Sequence, residues 1–276
     1  MKDFRKSVCG KFYKIFNFFK YKGVINVFWY SGINFGDGLN PYFISKISGK
    51  KCNLINPDRS NTVHYIVIGS SIDQATSKSI IWGAGYISED CTYISKPRKV
   101  CAVRGPKTRK KLLEEGVECP EVYGDPALLL PKIYNPKIKH KYKLGIIPHY
   151  VDQKNDLLEK FRNNPSIKII DIKRCNPYNV IDDVLECEKI ASSSLHGIIL
   201  ADAYGIPSTW IEFSEKVVGN GFKFYDYFLS VGRDNEIPLK ITKDIDLNHI
   251  LNTFKAYKID IDFDKLIDSC PFKIKI

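Results

Sequence analysis

Apolar residues along this chain fall into two alternating patterns: short continuous runs, and longer stretches in which they recur at helical spacing. Runs at 24–30 (VINVFWY), 63–68 (VHYIVI), 79–82, 100–104 and 143–148 predict short buried strands, and stretches at 41–47, 106–115 and 152–161 predict helices. The second half repeats this grammar with a strand at 167–172, a helix at 178–187, a strand at 189–192, a helix at 195–204 and a strand at 209–213. Alternation of this kind predicts an α/β protein with mainly parallel sheets. The tail at 244–268 has Leu247, Ile250, Leu251 and Phe254 at helical spacing and is expected to be helical.

A Pro- and Lys-rich stretch, PKIYNPKIKHKYK at 131–143, has the composition of a linker. It suggests two Rossmann-like domains, 1–139 with a basic N-terminal helix and 140–276 with a helical tail, enclosing a central cleft. Clefts of this kind bind ligands at the carboxyl ends of the strands.

Composition narrows the class. At 44% hydrophobic and 26% charged, the 276 residues can bury a sizeable core, which excludes disorder as the main state. No run approaches the roughly 18 apolar residues of a spanning helix. The formal net charge of +11 favours anionic partners. Much of it lies in 1–23, where seven basic residues face one acidic residue. In that arm Phe12, Ile15, Phe16 and Phe19 share one helical face edged by Lys11, Lys14 and Lys20. Such a stripe either rests on an anionic membrane surface or packs on the protein's own core. Outside the arm charge is mixed and nucleic-acid motifs are missing, so nucleic acid is not an expected partner. The eight cysteines form no CxxC pair, and the lysines of the arm interrupt any apolar leader segment. These features predict reduced thiols in a cytoplasmic protein, with peripheral contact at the inner membrane face as one reading of the arm.

Candidate chemistry collects where strands give way to helices. In IASSSLHGIILADAYGIP (190–207) a strand runs into three serines, and a helix opens near Leu195 with His196 and Gly197 in its first turn. Free N–H groups and the positive end of the helix dipole make that turn a seat for phosphate or carboxylate. A histidine there suits a general acid working beside a bound anion; a plain serine cap with an ordinary polar histidine is the alternative. In SGINFGDGLNP (31–41), Gly36 and Gly38 allow close backbone approach around Asp37, and Asn40 followed by Pro41 predicts a helix start with Pro at its first position. Arg104 precedes a helix start, where it either offers a planar fork to an anion or pairs with Glu114 or Glu115. His149 stands at the tip of another strand, and Lys216, Lys223 and Asp226 follow the strand at 209–213.

Together these segments resemble the polysaccharide pyruvyl transferase family. The resemblance is carried, in the family's order, by NFGDGLNP (34–41), IWGAG (81–85), VRGP (103–106), YGDPALLLP (123–131), GIIPHY (145–150) and SSSLHGIILADAYGIP (192–207). It implies a glycosyltransferase-B-like fold. It also implies transfer of the enolpyruvyl group of phosphoenolpyruvate onto two hydroxyls of a hexose in a polysaccharide or lipid-linked glycan, with release of phosphate. No cofactor or metal is expected, phosphoenolpyruvate being a donor substrate.

By the same resemblance His196 is the catalytic histidine and Arg104 a donor-binding arginine. Many members carry Arg two residues before the histidine, where this chain has Ser194. Donor binding is therefore expected from Ser193, Ser194, the turn at Gly197, and Lys216 or Lys223. Asp37 is expected to take a hydroxyl proton or orient the acceptor, and His149, Asn34 and Trp210 are the expected acceptor contacts. A nucleotide-sugar-dependent glycosyltransferase and a non-enzymatic glycan-binding relative are the competing readings.

Overall fold

The computed structural model describes residues 23–32, 34–173 and 176–275. The basic arm, with its aromatic stripe, lies outside the described residues. No helix among the described residues is long and apolar enough to cross a membrane.

The fold is α/β, built on two parallel five-stranded sheets. In the first, β1 (Val24–Phe28), β2 (Lys51–Leu54), β3 (His64–Ile66), β4 (Ser79–Trp82) and β5 (Lys99–Ala102) stand in the order β2-β1-β3-β4-β5. The second holds β6 (Leu144–Ile147), β7 (Ile167–Ile169), β8 (Ile190–Ser192), β9 (Ser208–Glu212) and β10 (Leu239–Lys240) in the order β10-β9-β8-β6-β7. Read from the other edge, the second sheet has the same winding as the first. The strand order in each sheet therefore reverses beside its leading strand, between β1 and β3 and between β6 and β8, the position at which doubly wound α/β sheets generally bind ligands. Residues 134–141, between the sheets, form neither helix nor strand.

The helix after β1, α1 (Phe35–Ser48), begins six residues before the expected start and carries Pro41 inside it. Proline lacks the N–H that would bond the Asp37 carbonyl one turn back. The Asn40 side chain supplies the substitute, its Nδ2 donating to that carbonyl at 3.2 Å and to the Ile68 carbonyl at 2.9 Å. The Ile68 N–H returns a bond to Asn40 Oδ1 at 3.0 Å. One buried amide thus both repairs the helix and ties it to the end of β3. Gly49, in the left-handed conformation (φ 66°), ends α1.

Helix α2 (Pro106–Glu114) follows β5. The helix expected at 152–161 is delayed: Asn155 caps a short 3-10 turn at Asp156–Leu158 and α3 occupies only Glu159–Arg162. Helix α4 (Pro177–Leu185) precedes β8, and α5 (Leu195–Ala203) follows it. Eight of the nine α5 residues are buried, so it is a core helix with little polar face. Its aliphatic side chains each contribute about 1.5–3 kcal/mol by burial. Helix α6 (Phe222–Ser230) packs against α2 and so joins the two halves.

The tail is not one helix. It forms α7 (Leu247–Leu251), an extended stretch, and α8 (Phe263–Asp268). Tyr257, in the extended stretch, gives its hydroxyl to Asp202 at 2.6 Å and accepts the Ser208 N–H at 2.9 Å, while Arg233 stacks on its ring. That buried network competes with helical bonding and wins. Beyond it the chain returns to the first sheet: Trp82 Nε1 donates to the Leu266 carbonyl at 3.0 Å, Phe272 packs edge-on to Trp82, and the Lys275 N–H bonds the Ile47 carbonyl at 2.7 Å.

Candidate active site

Chemistry-bearing residues follow the strand ends of both sheets, and the two sets meet where Gly36 touches His196. From the first sheet, α1 brings Asn34 and Asp37 just beyond β1. From the second, His149 follows β6, and Ser193, Ser194 and His196 follow β8. The Phe35 N–H donates to the Ile172 carbonyl at 2.9 Å, which fastens the start of α1 to the second half.

His196 sits in the first turn of α5 with its ring against the Gly36 backbone, so close that a Cβ on Gly36 would overlap Nδ1. This is the close approach that the glycines around Asp37 were expected to allow, and its partner is an imidazole. Nε2, at the other end of the ring, lies 3.7 Å from Oδ2 of Asp125. Asp125 was not among the expected site residues. It caps the 3-10 turn at Pro126–Lys132, its side chain accepting the Ala127 N–H at 2.9 Å, and that turn packs along α5. The signal for it was present in the YGDP segment, where an Asp before Pro reads as an ordinary cap.

Asp37 accepts from Asn34 Nδ2 at 3.0 Å, and burial holds its carboxyl above the ordinary carboxylate range, with His196, Asn34 and Lys223 pulling the other way. Lys223, on α6, is buried, and desolvation, helped by the charge of Arg104 and opposed by Asp37, pushes its ammonium down to about 8. Among the described residues it has no ion-pair partner within 4 Å. His149 is pushed down to about 3 by burial, with Lys223 and Lys173 adding to the effect. It is a neutral imidazole at working pH, suited to bonding a hydroxyl. Lys173, which sequence reasoning passed over, brings a second cation to this side.

The serines after β8 have distinct tasks. Ser192 Oγ accepts the Ser194 N–H at 3.0 Å and donates to the Ser194 carbonyl at 2.8 Å, which shapes the turn. Ser193 Oγ accepts the His149 N–H at 2.8 Å, joining the ends of β6 and β8. Ser194 is the N-cap of α5 but makes no capping bond with its side chain. Gly197 fits only as glycine, because a Cβ would collide with Ser192 Oγ.

Three expected contacts are placed otherwise. Arg104 is fully buried and its fork is engaged by this chain: Nε reaches Asp226 Oδ2 at 3.1 Å, Nη1 reaches Ser70 Oγ at 2.6 Å and Nη2 reaches the Tyr86 carbonyl at 2.6 Å. Asp226 also accepts the N–H and hydroxyl of Thr108 at 2.9 and 2.7 Å. The expected anion for Arg104 is thus a carboxylate on α6, three residues from Lys223. Trp210, expected to meet the acceptor, is 2% exposed and stacked on Phe224 with centroids 4.4 Å apart; it packs α6 onto β9. Lys216 is exposed and acts on the charge of Asp152, whereas the lysine that acts on Asp37 is Lys223.

The arrangement offers a histidine and a carboxylate beside a buried cation, a set fitted to moving protons next to a bound anion. Comparison with known proteins agrees with a transferase of this kind. The family model "Polysaccharide pyruvyl transferase" matches residues 3–215, and the chain belongs to that family. It is 31% identical over 237 residues to "Uncharacterized protein L143" of Acanthamoeba polyphaga mimivirus, covering 83% of this chain and 82% of that protein. It is 28% identical over 215 residues to "Succinoglycan biosynthesis protein ExoV" of Rhizobium meliloti (strain 1021), covering 75% of this chain and 65% of ExoV. Among solved structures, an uncharacterized protein from Klebsiella pneumoniae aligns over 84% of this chain and 97% of its own, with 16% identity and a TM-score of 0.43.

Proposed function

We propose that this protein moves the enolpyruvyl carbons of phosphoenolpyruvate onto two hydroxyls of a hexose in a polysaccharide or lipid-linked glycan, forming a cyclic pyruvate ketal and releasing phosphate. The observation that carries this reading is that the His196 ring packs on Gly36, next to Asp37, whose carboxylate feels both His196 and the buried Lys223, in a member of this family. The naming of ExoV for succinoglycan biosynthesis supports a polysaccharide acceptor. The identical winding of the two sheets and the return of the tail to the first support a glycosyltransferase-B-like division near Lys139.

The donor carries nearly three negative charges, so its cradle must be cationic. Lys223, the first turn of α5 and the hydroxyl of Ser194 supply one without the arginine that many members carry. His196 donates a proton to the methylene carbon, turning it into a methyl group and leaving an oxocarbenium-like centre at the neighbouring carbon. A sugar hydroxyl attacks that centre and passes its proton to Asp37. Phosphate then departs with the electron pair of its C–O bond, a second such centre forms, and the adjacent hydroxyl closes the ketal as it loses its proton. One proton ends in the methyl group and one on phosphate, so donor and diol balance ketal and phosphate. His149, neutral, and Asn34 orient the diol. The sequence of steps needs no resident cofactor, since phosphoenolpyruvate supplies both the carbon unit and the leaving group.

Incubation of the purified protein with candidate glycans and either phosphoenolpyruvate or nucleotide sugars tests the proposal. Phosphate release with a glycan mass gain of one pyruvate ketal is expected, and His196→Ala is expected to lower turnover by roughly two to four orders of magnitude while circular dichroism stays unchanged. Sugar transfer from a nucleotide donor, or tight glycan binding with no turnover, would overturn it.

A further inference from the structure

We propose that Asp125 is the positioning partner of His196: it holds a proton on Nε2 and so fixes Nδ1 as the nitrogen that exchanges a proton with substrate. This rests on the reading of His196 as the general acid. Asp125 is fully buried, and one of its oxygens is taken by the Ala127 N–H. The other oxygen, Oδ2, and His196 Nε2 are both buried, both without a hydrogen-bond partner, and 3.7 Å apart. Two complementary groups left idle and facing each other make a pair that a shift of under about 1 Å closes to hydrogen-bond length. Nε2 is buried on the Asp125 side, whereas Nδ1 lies at the opposite edge of the ring, against Gly36, the residue before Asp37. A carboxylate on one ring nitrogen fixes the tautomer and orientation of the other, as in other carboxylate–histidine pairs.

Asp125 stands 3.7 Å from Nε2, and His196 and Lys223 both act on the charge of the Asp37 carboxylate. When His196 is imidazolium both ring nitrogens carry protons. Asp125 accepts from Nε2–H while Nδ1–H is delivered to the donor's methylene carbon. The ring returns to the neutral Nε2–H form, which the Asp125 carboxylate favours, and the proton that left Nδ1 becomes part of the product methyl group.

Asp125→Asn tests this, because the amide keeps an oxygen for the Ala127 N–H and presents an NH₂ group where Oδ2 stood. That group donates to Nε2, so the neutral ring is expected to switch from the Nε2–H to the Nδ1–H tautomer, read by 15N NMR of labelled histidine in the unliganded protein. Turnover with phosphoenolpyruvate is expected to fall on the order of 10²-fold or more with the donor KM little changed, and the alkaline limb of the kcat profile to move to lower pH. Asp125→Asn added to His196→Ala is expected to cost no further turnover. An unchanged tautomer in Asp125→Asn would overturn the proposal. A tautomer switch in a protein that never turns over phosphoenolpyruvate would leave the pair standing and sink the donor reading instead.

Discussion

Gly36 and His196, 160 positions apart in sequence, touch so closely that the space a Cβ on Gly36 would occupy is filled by the imidazole. Gly36 lies in α1 of the first half and His196 in α5 of the second, so the histidine is seated by both sheets at once.

The first prediction follows from that contact. Gly36 is helical without positive φ, so Ala at this position suits the backbone and improves helix propensity by roughly 1 kcal/mol. The added methyl must push His196 aside. Gly36→Ala is therefore expected to lose most of the turnover lost by His196→Ala while far-ultraviolet circular dichroism is retained. Full activity in Gly36→Ala would mean that the ring is not needed where it stands.

Lys223 predicts a trade between stability and donor binding. Its folded pKa of about 8 lies below the ordinary lysine value of 10.5, so the folded state disfavours the charged amine. The unfolded chain holds more protons between those two values, and stability from this group rises with pH across that window. At pH 7 the charged amine is a burden, and Lys223→Met is expected to raise stability by up to about 3 kcal/mol while raising the donor KM. The stability gain should shrink as pH climbs from about 8 toward 10.5. Denaturant melts of both proteins at pH 7 and pH 10 measure this, and a gain that does not change with pH would exclude the amine as its source.

Asp37 predicts an acid limb. Burial holds its carboxyl above the usual value, so it loses its negative charge at a higher pH than an exposed aspartate does. If it takes the hydroxyl proton, turnover must fall as pH drops through that raised value. Asp37→Asn is expected to lower kcat and to flatten this limb at once. A limb that survives in Asp37→Asn belongs to another group, and Asp37 then only orients the acceptor.

What the sequence showed and what it hid follow from distance along the chain. Strand β4 lies where its apolar run predicted, and α5 begins at Leu195 as its capping pattern required, because both are local signals. The start of α1 was misplaced since Pro41 looks like a first-turn residue until Asn40 is seen supplying the missing donor. The tail was overextended because periodicity does not reveal that Tyr257 is drawn into the Asp202 network. His196, Asp37 and Lys223 lie after strands, as their segments predicted, and the structure brings them into one neighbourhood. Trp210 and Arg104 were legible as unusual residues, but whether each faces the cleft or the interior depends on Phe224 and Asp226, on an element 14 or more positions away. Asp125 was hidden for the same reason, its partner lying 71 positions further on.

Arg104 supplies the last prediction. Its guanidinium ties Asp226 of α6 to Ser70 and to the Tyr86 carbonyl of the first half, and Asp226 stands one helical turn from Lys223. Arg104→Lys keeps a charge, but a single ammonium cannot serve all three partners. The variant is expected to lose roughly 2 kcal/mol of stability and, by loosening α6, to raise the donor KM. That second effect should pass through Lys223. In a Lys223→Met background Arg104→Lys is then expected to leave the donor KM unmoved while its stability cost persists, which a double-mutant cycle reads directly. A further rise in donor KM in that background would mean that Arg104 meets the donor itself, with its fork turned away from Asp226 when substrate is bound.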